Sequence, residues 1–159
     1  MKTELQDKLY EKYPKIFRQK DLPMTQTAMC WGISCGDGWY NIIDNLCWEL
    51  QRIVDEPIET MERYENLLKQ PDLEEPTVAF FQSQIIEARK RQVPQVEAVQ
   101  VKEKYGTLRF YVAGGNDKMD SLISFAENLS GCTCEECGRP GTQDGGGWVK
   151  TLCEECRGE

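Results

Sequence analysis

The sequence predicts an α+β fold, mainly helical, with one β-hairpin and a C-terminal four-cysteine ribbon or knuckle. Three observations carry that expectation. Apolar residues recur at helical spacing from Trp39 to Val54 and again from Met119 to Leu129. They alternate with polar residues between Val99 and Val112. Two Cys-x2-Cys pairs lie near the end of the sequence.

Residues 3–12 read as a helix with Leu5, Leu9 and Tyr10 on one face. Pro14 ends it, and Ile16 and Phe17 tuck the next turn into the core. The polar stretch from Arg18 to Thr27 reads as a loop. CWGISCGDGW (30–39) then leads into the clearest helix, where Trp39, Ile42, Ile43, Leu46, Leu50, Ile53 and Val54 form one buried stripe. Asp37 is its expected N-cap and Pro57 its expected far boundary. Residues 58–70 and 76–92 read as two further helices joined around Pro71 to Pro76, so 57–94 forms a helical-hairpin insertion. Between Asp55 and Glu75 eight acidic residues face two basic ones, the pattern of a solvated surface.

Pro94 ends the preceding helix, and the period then changes to two. Val99 and Val101 alternate with Gln100 and Lys102; Leu108, Phe110 and Val112 alternate with Arg109 and Tyr111. A turn at Tyr105-Gly106 joins the two strands. An even loop of two or four residues pairs Glu103 with Leu108 and Val101 with Phe110, which puts the apolar residues on one face. A three-residue loop would set Val101 opposite Arg109 and mix the faces. Gly114-Gly115-Asn116-Asp117 opens a last long helix from about 118 to 130, buried through Met119, Leu122, Ile123, Ala126 and Leu129 and capped at Gly131.

Cys134, Cys137, Cys153 and Cys156 form two knuckles separated by 15 residues. A two-residue gap turns both thiolates of a knuckle toward one ion, and two knuckles complete a tetrahedron with zinc–sulfur distances of about 2.3 Å. Gly138 suits the tight knuckle, and RPGTQDGGGWVKT can form a short hairpin. Four thiolates leave no open position, so the expected Zn2+ is structural. The chain thus divides into a globular domain, 1–131, and a zinc-binding ribbon, 132–159. The ribbon carries six acidic and three basic residues, a poor balance for a nucleic-acid finger.

Hydrophobic residues make up 40% of the chain and charged residues 29%, which is globular composition. No apolar run approaches a membrane span, and the N-terminus turns polar where a signal peptide would be apolar. The expected compartment is a cytoplasm, where paired cysteines mean metal more often than disulfide. The net charge of −8 opposes long-range attraction to nucleic acid, and the absence of histidine removes the commonest proton-transfer group. Cys30, Cys35, Cys47 and Cys132 could make a second metal site, but their spacing matches no knuckle and packing is the expectation. CGDGW (35–39) and GGND (114–117) could cradle an anion; a capped helix start accounts for each more simply.

The hairpin's polar face displays Gln100, Lys102, Lys104, Thr107, Arg109 and Tyr111, three cations and an aromatic on an acidic protein. Arg89, Lys90 and Arg91 at the end of the preceding helix could join them. This surface suits a phosphate, a nucleotide or an acidic protein. The alternative is a solvated face whose cations pair with the chain's own carboxylates.

The strings KYPKIF (12–17), CWGISCGDGWYNIIDNLC (30–47), VQVKEKYGTLRFYVAGG (99–115), CEECGRPG (134–141) and GGGWVKTLCEEC (145–156) resemble a family of small uncharacterised proteins encoded by tailed bacteriophages and prophages. The resemblance covers most of the chain outside roughly 57–94. It implies a phage-derived protein in a bacterial host cytoplasm and brings no catalytic residues with it. Residues 134–156 alone are also similar to the zinc finger of small regulators that enter the secondary channel of bacterial RNA polymerase, a likeness that carries the metal site only.

The function expected is a non-enzymatic phage accessory protein that binds a host protein, blocking a defence system or redirecting host machinery. One alternative is a nucleotide- or nucleic-acid-binding module using the hairpin face. The other is an enzyme built on Asp37, Asp44 or a free cysteine.

Overall fold

The computed structural model describes residues 1–145 and 147–158. It is α+β. Helix α1 spans Thr3–Lys12, α2 Tyr40–Leu67, α3 Glu75–Lys90, α4 Asp117–Ser130 and the short α5 Glu154–Arg157. Strands β1 (Ile33–Ser34), β2 (Glu97–Lys104) and β3 (Thr107–Ala113) form one sheet in that order, and β4 (Thr142–Gln143) pairs with β5 (Thr151–Leu152) in the ribbon. No described helix is long and apolar enough to cross a membrane.

The hairpin has the even register its alternation demands. Val101 pairs with Phe110, Glu103 with Leu108 and Lys104 with Thr107, leaving a two-residue turn. Tyr105 and Gly106 both take positive φ, 53° and 72°, the mirror-image turn whose twist matches the strands. A bulge between Ala98 and Gln100 shifts the register once. Val101, Leu108 and Phe110 are buried, and the Phe17 ring meets Phe110 edge-on at 6.4 Å. β1 is a parallel addition outside the expected hairpin, pairing Ile33 with Val101 and Ser34 with Lys102. Two residues are too few for alternation to register in the sequence.

Pro57 does not end the long helix. It is buried inside α2, which runs on to Leu67 and absorbs what reads as a separate helix from residue 58. An interior proline removes the bond to the Ile53 carbonyl and costs about 3 kcal/mol in an isolated helix. Here the apolar stripe continues through Leu50, Ile53, Val54 and Pro57, and α3 packs along the same helix. Farther out, Tyr64 sits 5.4 Å from the Phe81 ring and 6.2 Å from Phe80. Tertiary packing thus outweighs the local penalty. Arg91 and Lys90 belong to this helical pair, bound to Glu56 and Glu87, and do not extend the hairpin's basic face.

α4 packs against both β3 and α2, and Trp39, Ile43, Leu50, Phe110, Met119 and Ile123 meet in one core. Asn116 caps α4 by accepting from the Met119 amide at 3.1 Å. α4 also covers the outer edge of β3. The Leu108 amide donates to Ser130 Oγ at 2.7 Å and the Phe110 amide to Glu127 Oε1 at 2.9 Å. Those two outward N–H groups are therefore closed to any added strand. Asp37 is not the N-cap of α2; Trp39 holds that position without a side-chain cap. Asp37 instead accepts from the Lys2 amide at 2.7 Å and pairs with its ammonium.

Candidate metal centre

Two turns present the four thiols. Gly138 takes φ 78° and donates to the Cys134 carbonyl at 2.9 Å, which curls the first knuckle around its own backbone. The second begins at Cys153, the residue before α5, and Cys156 follows within that helix turn. The β4–β5 pairing brings the two knuckles together. All four Sγ atoms lie within 4.8 Å of one another, and Cys137 and Cys153 approach to 3.6 Å. A tetrahedron with metal–sulfur distances of about 2.3 Å has edges near 3.8 Å, so the set fits one ion. No second cluster of metal-ligating side chains forms among the described residues.

Electrostatics divide the thiols. The Arg139 guanidinium, 3.4 Å from Cys137 Sγ, pulls that thiol down to about 6, while its fork holds Glu155 through two bonds. Cys156 is pushed up to about 12 by its hydrogen bonds to Cys137 and then Cys153. Four sulfurs this close ionise together only around a cation. Arg139 lies between the knuckles in sequence, and its role is legible only once Cys137 and Glu155 are seen on either side of it.

The ribbon is stitched to the rest of the chain at two places. In the first, the CGDGW loop lies directly on the first knuckle. Gly36 N–H donates to Glu135 Oε1 at 2.9 Å, Gly38 N–H to the Glu135 carbonyl at 2.7 Å, and Trp39 Nε1 to the Thr133 carbonyl at 2.8 Å. A Cβ at Gly36 would stand 2.2 Å from the Glu135 carbonyl oxygen, and one at Gly38 would stand 2.2 Å from that of Cys134. Close backbone approach, not anion binding, accounts for both glycines. In the second, the hairpin turn sits under β5: Thr151 Oγ1 donates to the Gly106 carbonyl at 2.5 Å and Gln143 Nε2 to the Tyr105 carbonyl at 3.5 Å, while within the ribbon the Glu135 amide donates to the Thr151 carbonyl at 2.9 Å.

The remaining cysteines and acids stay apart from this centre. Cys47 is fully buried, and burial pushes Cys35 up to about 12. Cys30 and Cys132 donate to the carbonyls of Thr27 and Leu129. Asp44 binds Lys12 Nζ at 2.8 Å and accepts from the Tyr13 hydroxyl at 2.7 Å, while Asp37 is held by Lys2.

On the sheet's outer face, Gln100 lies across from Tyr111, Lys102 across from Arg109 and Lys104 across from Thr107, so the six expected surface residues share one face. Lys102 Nζ stands 5.7 Å from the Tyr111 ring and Lys104 Nζ 5.3 Å from that of Tyr105. Arg109 Nη1 donates to Thr107 Oγ1 and to the Leu108 carbonyl. Among the described residues these three cations form no ion pair with a carboxylate. Compared with family models, with curated proteins and with solved structures, the chain matches none.

Proposed function

We propose that the protein is a non-enzymatic, zinc-stapled binder that engages a host protein in a bacterial cytoplasm, in the manner of a phage accessory protein. A closed tetrahedral set of four thiolates is the donor set of structural zinc sites. The observation that supports binding is the outer face of the sheet. Lys102, Lys104 and Arg109 stand there without internal carboxylate partners, although acidic residues exceed basic ones by 27 to 19 in the chain. Lys8, Lys69 and Arg89 also stand without an ion pair among the described residues, but singly; what marks Lys102, Lys104 and Arg109 is that they stand together on one sheet face.

The test is affinity capture from bacterial lysate, comparing the wild type with a Lys102→Ala/Lys104→Ala/Arg109→Ala variant of equal metal content. A host protein captured by the wild type, lost with the variant and reproducing that difference when purified supports the reading. Equal capture by both proteins removes the sheet face from it. A second reading, single-stranded nucleic acid on the same face, draws on Tyr105 and Trp148. They are 70% and 77% exposed and border a cleft of about 430 Å³ beside Lys104. Retention of oligonucleotide that falls steeply with added salt would select it.

A further inference from the structure

The outer face continues past the hairpin. β1 runs parallel to β2 with Ser34 beside Lys102, so Ser34, Lys102 and Arg109 form one row across three strands. Beyond β1, Trp31 and Met24 project into solvent at 72% and 65% exposure. With Ser34, Gln100 and Lys102 they border a cleft of about 280 Å³. One side of it is apolar and the other offers an ammonium, a hydroxyl and an amide. Large side chains so exposed gain most from being covered by an apolar group.

We propose that this cleft receives a bulky apolar side chain from an acidic segment of the partner protein, whose neighbouring carboxylates lie on Lys102, Arg109 and Lys104. The inference rests on the sheet face being the docking surface. Charge selects the occupant. The Lys102 and Lys104 ammonium groups lie over rings with no ion pair among the described residues, and Arg109 commits one nitrogen to Thr107 and Leu108, so the rest of its fork is open to a carboxylate. Three cations match the two or three carboxylates of a short peptide. A nucleic acid brings a charge at every nucleotide toward a chain of net charge −8.

The mode of contact follows from the edges of the sheet. Strand addition at β3 is closed by Ser130 and Glu127, and β1 offers only two residues. Recognition therefore runs through side chains: an apolar anchor in the cleft and a charged rim beside it. Trp31 is the anchor's wall. It lies outside the alternating pattern of the hairpin, and the β1 pairing together with the Ala28 amide bond to the Val99 carbonyl, 3.2 Å, brings it to this face.

The experiment pans the zinc-loaded protein against a displayed library of random peptides and measures the affinity of the enriched sequences by fluorescence anisotropy. The expected winners carry an aromatic or long aliphatic residue flanked by Asp or Glu. Their Kd rises about tenfold or more with Trp31→Ala, stays within about threefold with Trp31→Phe, and rises with added salt. Thermal melts identical to the wild type establish that these exposed-site variants remain folded. Peptides lost with Lys102→Ala/Lys104→Ala/Arg109→Ala but indifferent to Trp31→Ala overturn the cleft while the docking face stands. Peptides indifferent to both sets, or no enrichment at all, overturn the inference together with the reading beneath it. Displacement of the winners by a thymidine oligonucleotide of equal or better affinity also overturns it, in favour of nucleic acid.

Discussion

Replacing Gly38 with alanine tests the seat between the metal knuckle and the core. The added methyl would stand 2.2 Å from the Cys134 carbonyl oxygen, 2.4 Å from the Gly138 nitrogen and 2.8 Å from the Cys137 nitrogen. All three are backbone atoms, so no rotamer change clears them. Comfortable contact needs about 3.5 Å, which forces the knuckle back by about 1 Å. The Gly38 bond to the Glu135 carbonyl, 2.7 Å long, is then stretched beyond useful range. Gly38 has no positive φ, so the cost is steric and not one of backbone conformation. Overpacking costs about 1–3 kcal/mol and the lost hydrogen bond about 1 kcal/mol, together about 2–4 kcal/mol. For a chain of this size each kcal/mol moves Tm by about 2–4 °C, so the variant melts about 4–16 °C lower. Circular dichroism of the zinc-loaded protein measures it, with Gly145→Ala, which meets nothing within 4 Å, as the control. A Tm shift under about 2 °C with metal content intact would refute the docked seat.

Chelating the metal should speed amide exchange at Gly36, Gly38 and Glu135 far more than along the middle of α2, since their bonds hang from the knuckles; uniform acceleration in exchange mass spectrometry would contradict this. Ser130→Ala strands the buried Leu108 amide, bonded at 2.7 Å in the native chain, and should cost about 1–3 kcal/mol in denaturant titration. The Lys102→Ala/Lys104→Ala/Arg109→Ala variant should unfold within about 1 kcal/mol of the wild type, because its side chains give up no ion pair; a larger loss would mean that the face serves the fold. Asp37 is held below the usual carboxylate range by the Lys2 amide and ammonium. Its small contribution is present above the ordinary value of 3.8 and fades as pH falls through the lowered one, so Asp37→Asn should flatten that part of the acid limb.

The legible parts of this chain were those whose signal is periodic or paired. Alternation from Val99 to Val112 fixes the register because only an even loop keeps Val101 and Phe110 on one face. Paired Cys-x2-Cys spacings mark the metal ligands for a similar reason: the geometry they need is local. Pro57 misleads because its penalty is local while the packing that overrides it comes from α3. Gly36 and Gly38 are visible in the sequence, yet what presses on them lies about a hundred residues away at Cys134 and Glu135. β1 escapes notice because two residues carry no period, and with it escapes the position of Trp31. The three hairpin cations were legible as a group, but whether they pair internally depends on where every carboxylate lies.

The order in which the chain is synthesised gives the two seats of the ribbon a further meaning. Cys134 leaves the ribosome 96 residues after Gly38 (134 − 38), a delay of about 5–20 s at ordinary elongation rates. Throughout that interval the CGDGW loop waits without the surface that will cover it, and the Tyr105-Gly106 turn waits 45 residues (151 − 106) for Thr151. A chain that stops before Cys134 therefore lacks both stitches: the bonds made by Gly36, Gly38 and Trp39, and the one that reaches the Gly106 carbonyl. Both surfaces that the knuckles close are thus made before the knuckles themselves.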